Sequence, residues 1–191
     1  MSSQSSVILE TVSVLVKSGT ILYPTDTIWG VGCDATDAAA VEKLYALKHR
    51  DHSKSMLILC SDINMVERYV APVGDKVREL LLGRDRPTTV IMPLRRPLLA
   101  TNLVAADGTI GVRIPQMDFC QLLLRTFGRP IVSTSANLSG CPSPASFAEI
   151  DNALMRAVDY CVPQSMEAHS GGSSSRIVKL QPDGSILVLR Q

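Results

Sequence analysis

Three polar islands, each set against a short apolar run, constrain this chain more than any other feature. Tyr23-Pro24-Thr25-Asp26-Thr27-Ile28-Trp29-Gly30 follows Thr20-Ile21-Leu22. Lys48-His49-Arg50 precedes Ser55-Met56-Leu57-Ile58-Leu59, and Ser133-Thr134-Ser135-Ala136-Asn137-Leu138-Ser139-Gly140 follows Pro130-Ile131-Val132. Apolar runs this short and this β-favouring read as buried strands. Ligand sites in α/β sheets collect at strand ends. Hydroxyls, an amide and cations gathered there suit phosphates and a small polar substrate.

The rest of the chain alternates helices and strands. Ser6 is placed to cap a first helix with Val7, Ile8, Leu9, Val12, Leu15 and Val16 on its buried side, and Gly19 is placed to stop it. A second helix runs from Asp37 to about Lys48, with Ala40, Val41, Leu44 and Tyr45 as its apolar stripe. Strands are expected at Thr20–Tyr23, Ser55–Cys60, Thr88–Met92, Thr109–Ile114, Pro130–Ser133 and Tyr160–Val162. Helices are expected at 63–70, 74–82, 117–127 and 147–158. Arg176–Leu180 and Ser185–Leu189 form a hairpin through Pro182-Asp183-Gly184. The order predicts an α/β (α+β) fold, with one twisted mixed sheet and flanking helices.

At 191 residues the length fits a single domain, 1–191, able to bury a core without disulfides or metals. A formal net charge of +1 argues against nucleic-acid binding by bulk charge, while allowing a local basic patch. The five cysteines are scattered, with no C-x-x-C pair, so they read as small buried residues in a reducing compartment. The N-terminus lacks a signal-peptide pattern, and no apolar run approaches the ~20 residues of a membrane span. The expectation is a cytoplasmic protein with no membrane partner.

In an extended segment Tyr23, Thr25 and Thr27 share one face. Two threonine hydroxyls there can donate to a carboxylate or phosphate, or accept from an ammonium. Lys48, His49, Arg50, His52 and Lys54 lie in seven residues with one acid, Asp51. That run reads either as a solvated helix end or as an anion site, with arginine as a fork and lysine as a point charge. Arg113 sits inside the apolar run Ile110-Gly111-Val112-Arg113-Ile114 and needs a partner, either a bound anion or an internal carboxylate such as Asp26. No phosphate-binding G-x-x-x-x-G-K-[ST] loop, no G-x-G-x-x-G fingerprint, no nucleophile elbow and no metal-ligand spacing of the three histidines appears.

In their order, Tyr-Pro-Thr-Asp-Thr at 23–27, Lys48-x-Arg50, Gly-Val-Arg-Ile-Pro at 111–115 and Ser-Thr-Ser-Ala-Asn-x-Ser-Gly at 133–140 resemble the YrdC-like family. The resemblance runs from about Val7 to Arg190. It implies a twisted sheet and helices around a deep, positively lined cavity. It also implies a threonylcarbamoyl-AMP synthase of the short, single-domain type, using L-threonine, bicarbonate and ATP with Mg²⁺ on the phosphates. A downstream threonylcarbamoyl transferase complex would carry the group to tRNA, and direct tRNA contact is a further implied partner.

By the same resemblance Thr25, Thr27, Ser55, Arg113, Ser135 and Ser174 face the threonine. Lys48, Arg50, Thr109, Asn137, Ala145 and Arg190 face the ATP. No residue is expected to act as a covalent nucleophile, since positioning and charge neutralisation carry such a reaction. Asp51 and Ser55 stand where many members have proline, and Ala145 where many have threonine. Two other readings stay open: an RNA-binding protein, and a paralogue using the same adenylate chemistry on another substrate.

Overall fold

Alternate residues of the short strands separate into two apolar cores on opposite faces of one sheet. The computed structural model describes residues 3–52, 54, 56–83, 86–167 and 172–191. Its helices are α1 (Ser3–Val16), α2 (Ala38–Leu47), α3 (Ile63–Tyr69), α4 (Asp75–Leu82), α5 (Asp118–Phe127) and α6 (Asn152–Ala157). Its strands are β1 (Ile21–Tyr23), β2 (Gly30–Asp34), β3 (Leu57–Leu59), β4 (Thr88–Pro93), β5 (Thr109–Arg113), β6 (Ile131–Ser135), β7 (Tyr160–Cys161), β8 (Arg176–Leu180) and β9 (Ile186–Arg190).

The nine strands form one mixed sheet in the order β7-β1-β2-β6-β3-β5-β4-β8-β9. β1–β7, β3–β5 and β4–β8 are parallel, and the other pairs are antiparallel. Ile21, Tyr23, Leu59 and Ile131 pack on one face against Ile8 and Leu15 of α1 and Phe119, Leu123 and Phe127 of α5. Their neighbours Leu22, Ile58 and Val132, with Val90, Val112 and Val178, pack on the other face with residues of α2, α3, α4 and α6. Among the described residues, no helix is long and apolar enough to cross a membrane.

Two local expectations are corrected, and one strand was not expected. The first helix begins before Ser6, whose hydroxyl donates back to Ser3 O at 2.9 Å instead of capping. Its buried face is Ile8, Thr11 and Leu15, and Leu9 and Val16 point to solvent. Thr11 is tolerated there because its hydroxyl donates to Val7 O at 2.7 Å. The helix expected over 147–158 is broken into a 3₁₀ turn at Phe147–Glu149 and α6, because the Asp151 carboxylate accepts from Ala153 N and starts a new helix. Finally, β2 is a strand that its Gly-Val-Gly composition conceals. Gly32 lies so close to β6 that a Cβ there would be 2.3 Å from Val132 O.

Candidate active site

The strand register brings the odd-numbered residues of β3, β4, β5, β6 and β8, and the even-numbered residues of β2, onto the α1/α5 face. Leu57 pairs with Gly111 and Ser133, Gly111 with Ile91, Gly30 with Ser135, and Thr89 with Ile177. A cavity of about 260 Å³ opens over this part of the sheet, and none of its described lining residues belongs to a helix. Gly111 lies in the middle of its floor. A Cβ there would be 3.2 Å from Thr89 Cγ2 and 3.3 Å from Leu57 Cβ, so glycine lets the three strands meet without filling the space.

One wall is the segment between β1 and β2, and its hydrogen bonds run in one direction. Arg113 Nη1 donates to Thr27 Oγ1 at 2.7 Å, and the Thr25 hydroxyl donates to Ile28 O at 2.7 Å. Thr25 has one proton to give, so in the 2.9 Å Thr25–Thr27 contact the Thr27 hydroxyl is the donor. Both hydroxyl protons are committed inside the protein. In this arrangement Thr27 keeps an acceptor lone pair beyond its contacts with Arg113 and Thr25. Trp29 completes the wall, held by a 2.7 Å bond from Nε1 to Glu167 Oε1 and a tilted contact with Phe147.

Arg50, Arg113 and Arg190 reach the cavity from three separate parts of the chain, and no carboxylate is among its described lining residues. Arg190 Nε and Nη2 both donate to Ser175 O, at 3.1 and 2.6 Å. The Ser175 hydroxyl in turn pairs with Thr89 Oγ1 at 2.9 Å. Burial, with the positive charge of Arg113 beside it, holds the Arg190 guanidinium below its ordinary pKa. Burial does the same to Arg50. Partial withdrawal from water, and for Arg190 the neighbouring Arg113 charge, disfavour the charged guanidinium, and a bound anion relieves both effects.

Lys48 has a different place. It is 1% exposed and does not line the cavity. Its ammonium donates to Ser135 O, to Asn137 O at 2.6 Å and weakly to Asn137 Oδ1 at 3.5 Å. Burial first, and the charge of Arg50 second, push its pKa down to about 8. The Asn137 amide is committed within its own loop, accepting from the Ser135 hydroxyl and donating to Leu138 O and Cys141 O. Lys48 and Asn137 thus form a clamp that shapes the loop after β6 and presents Ser135.

Of the residues singled out from sequence, Thr25, Thr27, Arg50, Arg113, Ser135, Ser174 and Arg190 meet in the cavity. Thr109 does not, because its hydroxyl and N–H both bind Asp107 at the start of β5. Ala145 is exposed and does not line the cavity, and its backbone N–H donates to Glu149 Oε2 at 3.0 Å. Ser55 lies outside the described residues. Thr89, Met56, Gly111 and Ile177 line the cavity without having been singled out. For Thr89, Gly111 and Ile177 the signal is the face they share with Arg113 once the register is known.

The Sua5/YciO/YrdC family pattern, described as "Telomere recombination", matches residues 13–191. A threonylcarbamoyl-AMP synthase of Idiomarina loihiensis is 33% identical over 163 residues, covering 84% of this chain and 85% of that protein. One from Photobacterium profundum is 34% identical over 148 residues, covering 76% and 80%. Among solved structures, E. coli YciO superposes with a TM-score of 0.77 at 26% identity, covering 98% of this chain and 89% of that one. P. abyssi Sua5 in complex with L-threonine gives a TM-score of 0.85 at 19% identity. That match covers 98% of this chain and 54% of the longer protein, and at this identity it speaks for the fold alone. With the pattern matched almost end to end, and with relatives at a third identity over most of their length, the chain belongs to the Sua5/YciO/YrdC family.

Proposed function

We propose that this protein is an L-threonylcarbamoyladenylate synthase, converting L-threonine, bicarbonate and ATP into threonylcarbamoyl-AMP and pyrophosphate. The observation that carries the reading is a cavity into which Arg50, Arg113 and Arg190 converge beside a hydroxyl wall, with no lining carboxylate among the described residues. Curated relatives over most of the chain bear that activity in their names.

The threonine amine adds to the carbon of CO₂ or bicarbonate and loses a proton, with water leaving in the bicarbonate case. A carbamate oxygen then forms a bond to the α-phosphorus of ATP. The bond from that phosphorus to its bridging oxygen breaks, and pyrophosphate departs with the electron pair. In this reading Arg113 takes the substrate carboxylate, and the Thr27 lone pair takes an N–H or O–H of the amino acid. Arg50 and Arg190 neutralise phosphate charge as it shifts toward the leaving group. Ser135 and Ser174 add hydroxyl contacts to the threonine side. Mg²⁺ arrives with ATP as part of the substrate, which suits a lining of hydroxyls and cations. The product passes to a threonylcarbamoyl transferase acting on tRNA, and direct tRNA contact belongs to the same proposal.

The test is pyrophosphate release by the purified protein from MgATP, with and without L-threonine and bicarbonate. Release that requires both supports the synthase. Release indifferent to threonine points to another acceptor for the same adenylate chemistry, and binding of neither substrate removes the proposal.

A further inference from the structure

We propose that Asp26 is a positioning residue, setting the orientation and the effective charge of the Arg113 guanidinium from behind the substrate cavity. The proposal rests on the function given above, in which Arg113 meets a substrate carboxylate.

Arg113 lies inside β5 and is 3% exposed, so its charge is sustained only by partners. Nη1 is committed to Thr27, and Nε is buried with no partner. The charged neighbour is Asp26, whose Oδ1 lies 3.3 Å from Nη2. That contact is electrostatic rather than an aligned hydrogen bond, because Oδ1 accepts none. The other carboxylate oxygen, Oδ2, accepts the backbone N–H of Gln116 at 3.0 Å. Gln116 lies just past the strand that carries Arg113. Asp26 therefore joins the β1–β2 connection to the exit of β5 and fixes its own charge beside the guanidinium.

Asp26 does not line the arginine cavity. It faces a separate recess with Gln4, Gln116, Asp118 and Glu167. A substrate in the main cavity touches Arg113 without touching Asp26. The one-sided contact also suits the role. A bidentate carboxylate would occupy the whole fork and leave nothing for substrate. With no carboxylate, the buried guanidinium would lack a countercharge and turn toward other acceptors. A single unaligned contact holds the group in place and leaves donors unspent.

Asp26→Asn keeps an oxygen for Gln116 N–H but removes the charge, and turns an amide N–H toward Nη2. The expected result is a rise of about tenfold in KM and in the calorimetric Kd for L-threonine. KM for ATP and the urea midpoint should stay near their wild-type values. Asp26→Glu, which restores the charge one methylene away, should recover part of the threonine affinity, and its KM split decides the question if Asp26→Asn does not fold. An equal rise in both KM values would mark Asp26 as merely structural, and wild-type threonine affinity in both variants would also overturn the proposal. Absence of threonine-dependent turnover in the wild type would instead count against the synthase reading itself.

Discussion

Replacing Lys48 by methionine separates the clamp from a phosphate-binding cation. Held at about 8 against an ordinary 10.5, the buried ammonium costs folding about 3 kcal/mol at neutral pH. Methionine fills a similar volume and removes that cost. It also leaves Ser135 O and Asn137 O without their donor, at about 1–3 kcal/mol each. The two effects largely cancel, so the change in stability at pH 7 should stay within about 3 kcal/mol in either direction. The pH dependence is the sharper readout.

Because the folded-state pKa of Lys48 lies below the unfolded one, the unfolded chain binds more protons between pH 8 and 10.5. The penalty is complete below about pH 8 and is relieved as pH rises. Wild type should therefore gain on Lys48→Met by about 2 kcal/mol between pH 7 and 9.5. Other titrating groups are shared by the two proteins and drop out of the difference. Urea denaturation at pH 7, 8 and 9.5 measures it, and hydrogen exchange over residues 133–141 should show the loop loosened in the variant. A stability difference that is flat or falls with pH would refute the burial argument. Loss of ATP affinity with an unchanged loop would return Lys48 to the phosphates.

Three further expectations test other parts of the structure. Gly32→Ala should cost at least about 2 kcal/mol in urea denaturation, since its Cβ would meet Val132 O at 2.3 Å and the β2–β6 ladder cannot open locally. Native-like stability would mean that the strands lie farther apart. Thr89→Val should lower stability by about 1 kcal/mol and pyrophosphate release more strongly, because Ser175 loses its partner while Ser175 O still anchors Arg190. Unchanged turnover would detach that pair from the site. Burial pushes the thiols of Cys33, Cys60 and Cys120 up, so iodoacetamide should modify exposed Cys141 first in the native protein and leave activity intact. Early loss of activity with Cys120 labelled would reveal an opening beside Pro24, whose carbonyl that thiol contacts.

The strands flanking the islands were readable because each is a short apolar run with a stop beside it. β2 was not, since Gly30 and Gly32 lower its β propensity for a reason that appears only when β6 lies alongside. The same limit applies to the cavity floor. Thr89 and Gly111 are ordinary strand residues until β4 pairs with β5 and β5 with β3, which turns both toward Arg113. Pairing between distant segments fixes that register, and no local pattern encodes it. The Arg113 argument travelled further. A cation inside an apolar strand has to be answered whatever the register, and the sequence already offered Asp26 and a bound anion as its two partners.

The Lys48-x-Arg50 pair shows how a motif can be legible while its division of labour is not. Two cations two residues apart at a helix exit read either as a solvated helix end or as an anion site, and need not share a face. His49 sits between them at φ 48°, in the left-handed region that turns the chain after α2. The turn sends the neighbours apart. Lys48 goes inward to the carbonyls of the β6 loop, and Arg50 goes to the cavity, where Nε also donates to Lys54 O at 2.8 Å. A flexible ammonium with three donors suits the clamp, because it can gather oxygens lying in different directions. A planar guanidinium suits phosphate, because it stays charged at the pH where its neighbour begins to lose a proton. On this account Lys48→Arg should fail at the clamp even though it preserves charge. It would place a rigid fork where only a small ammonium fits between Ser135 O and Asn137 O.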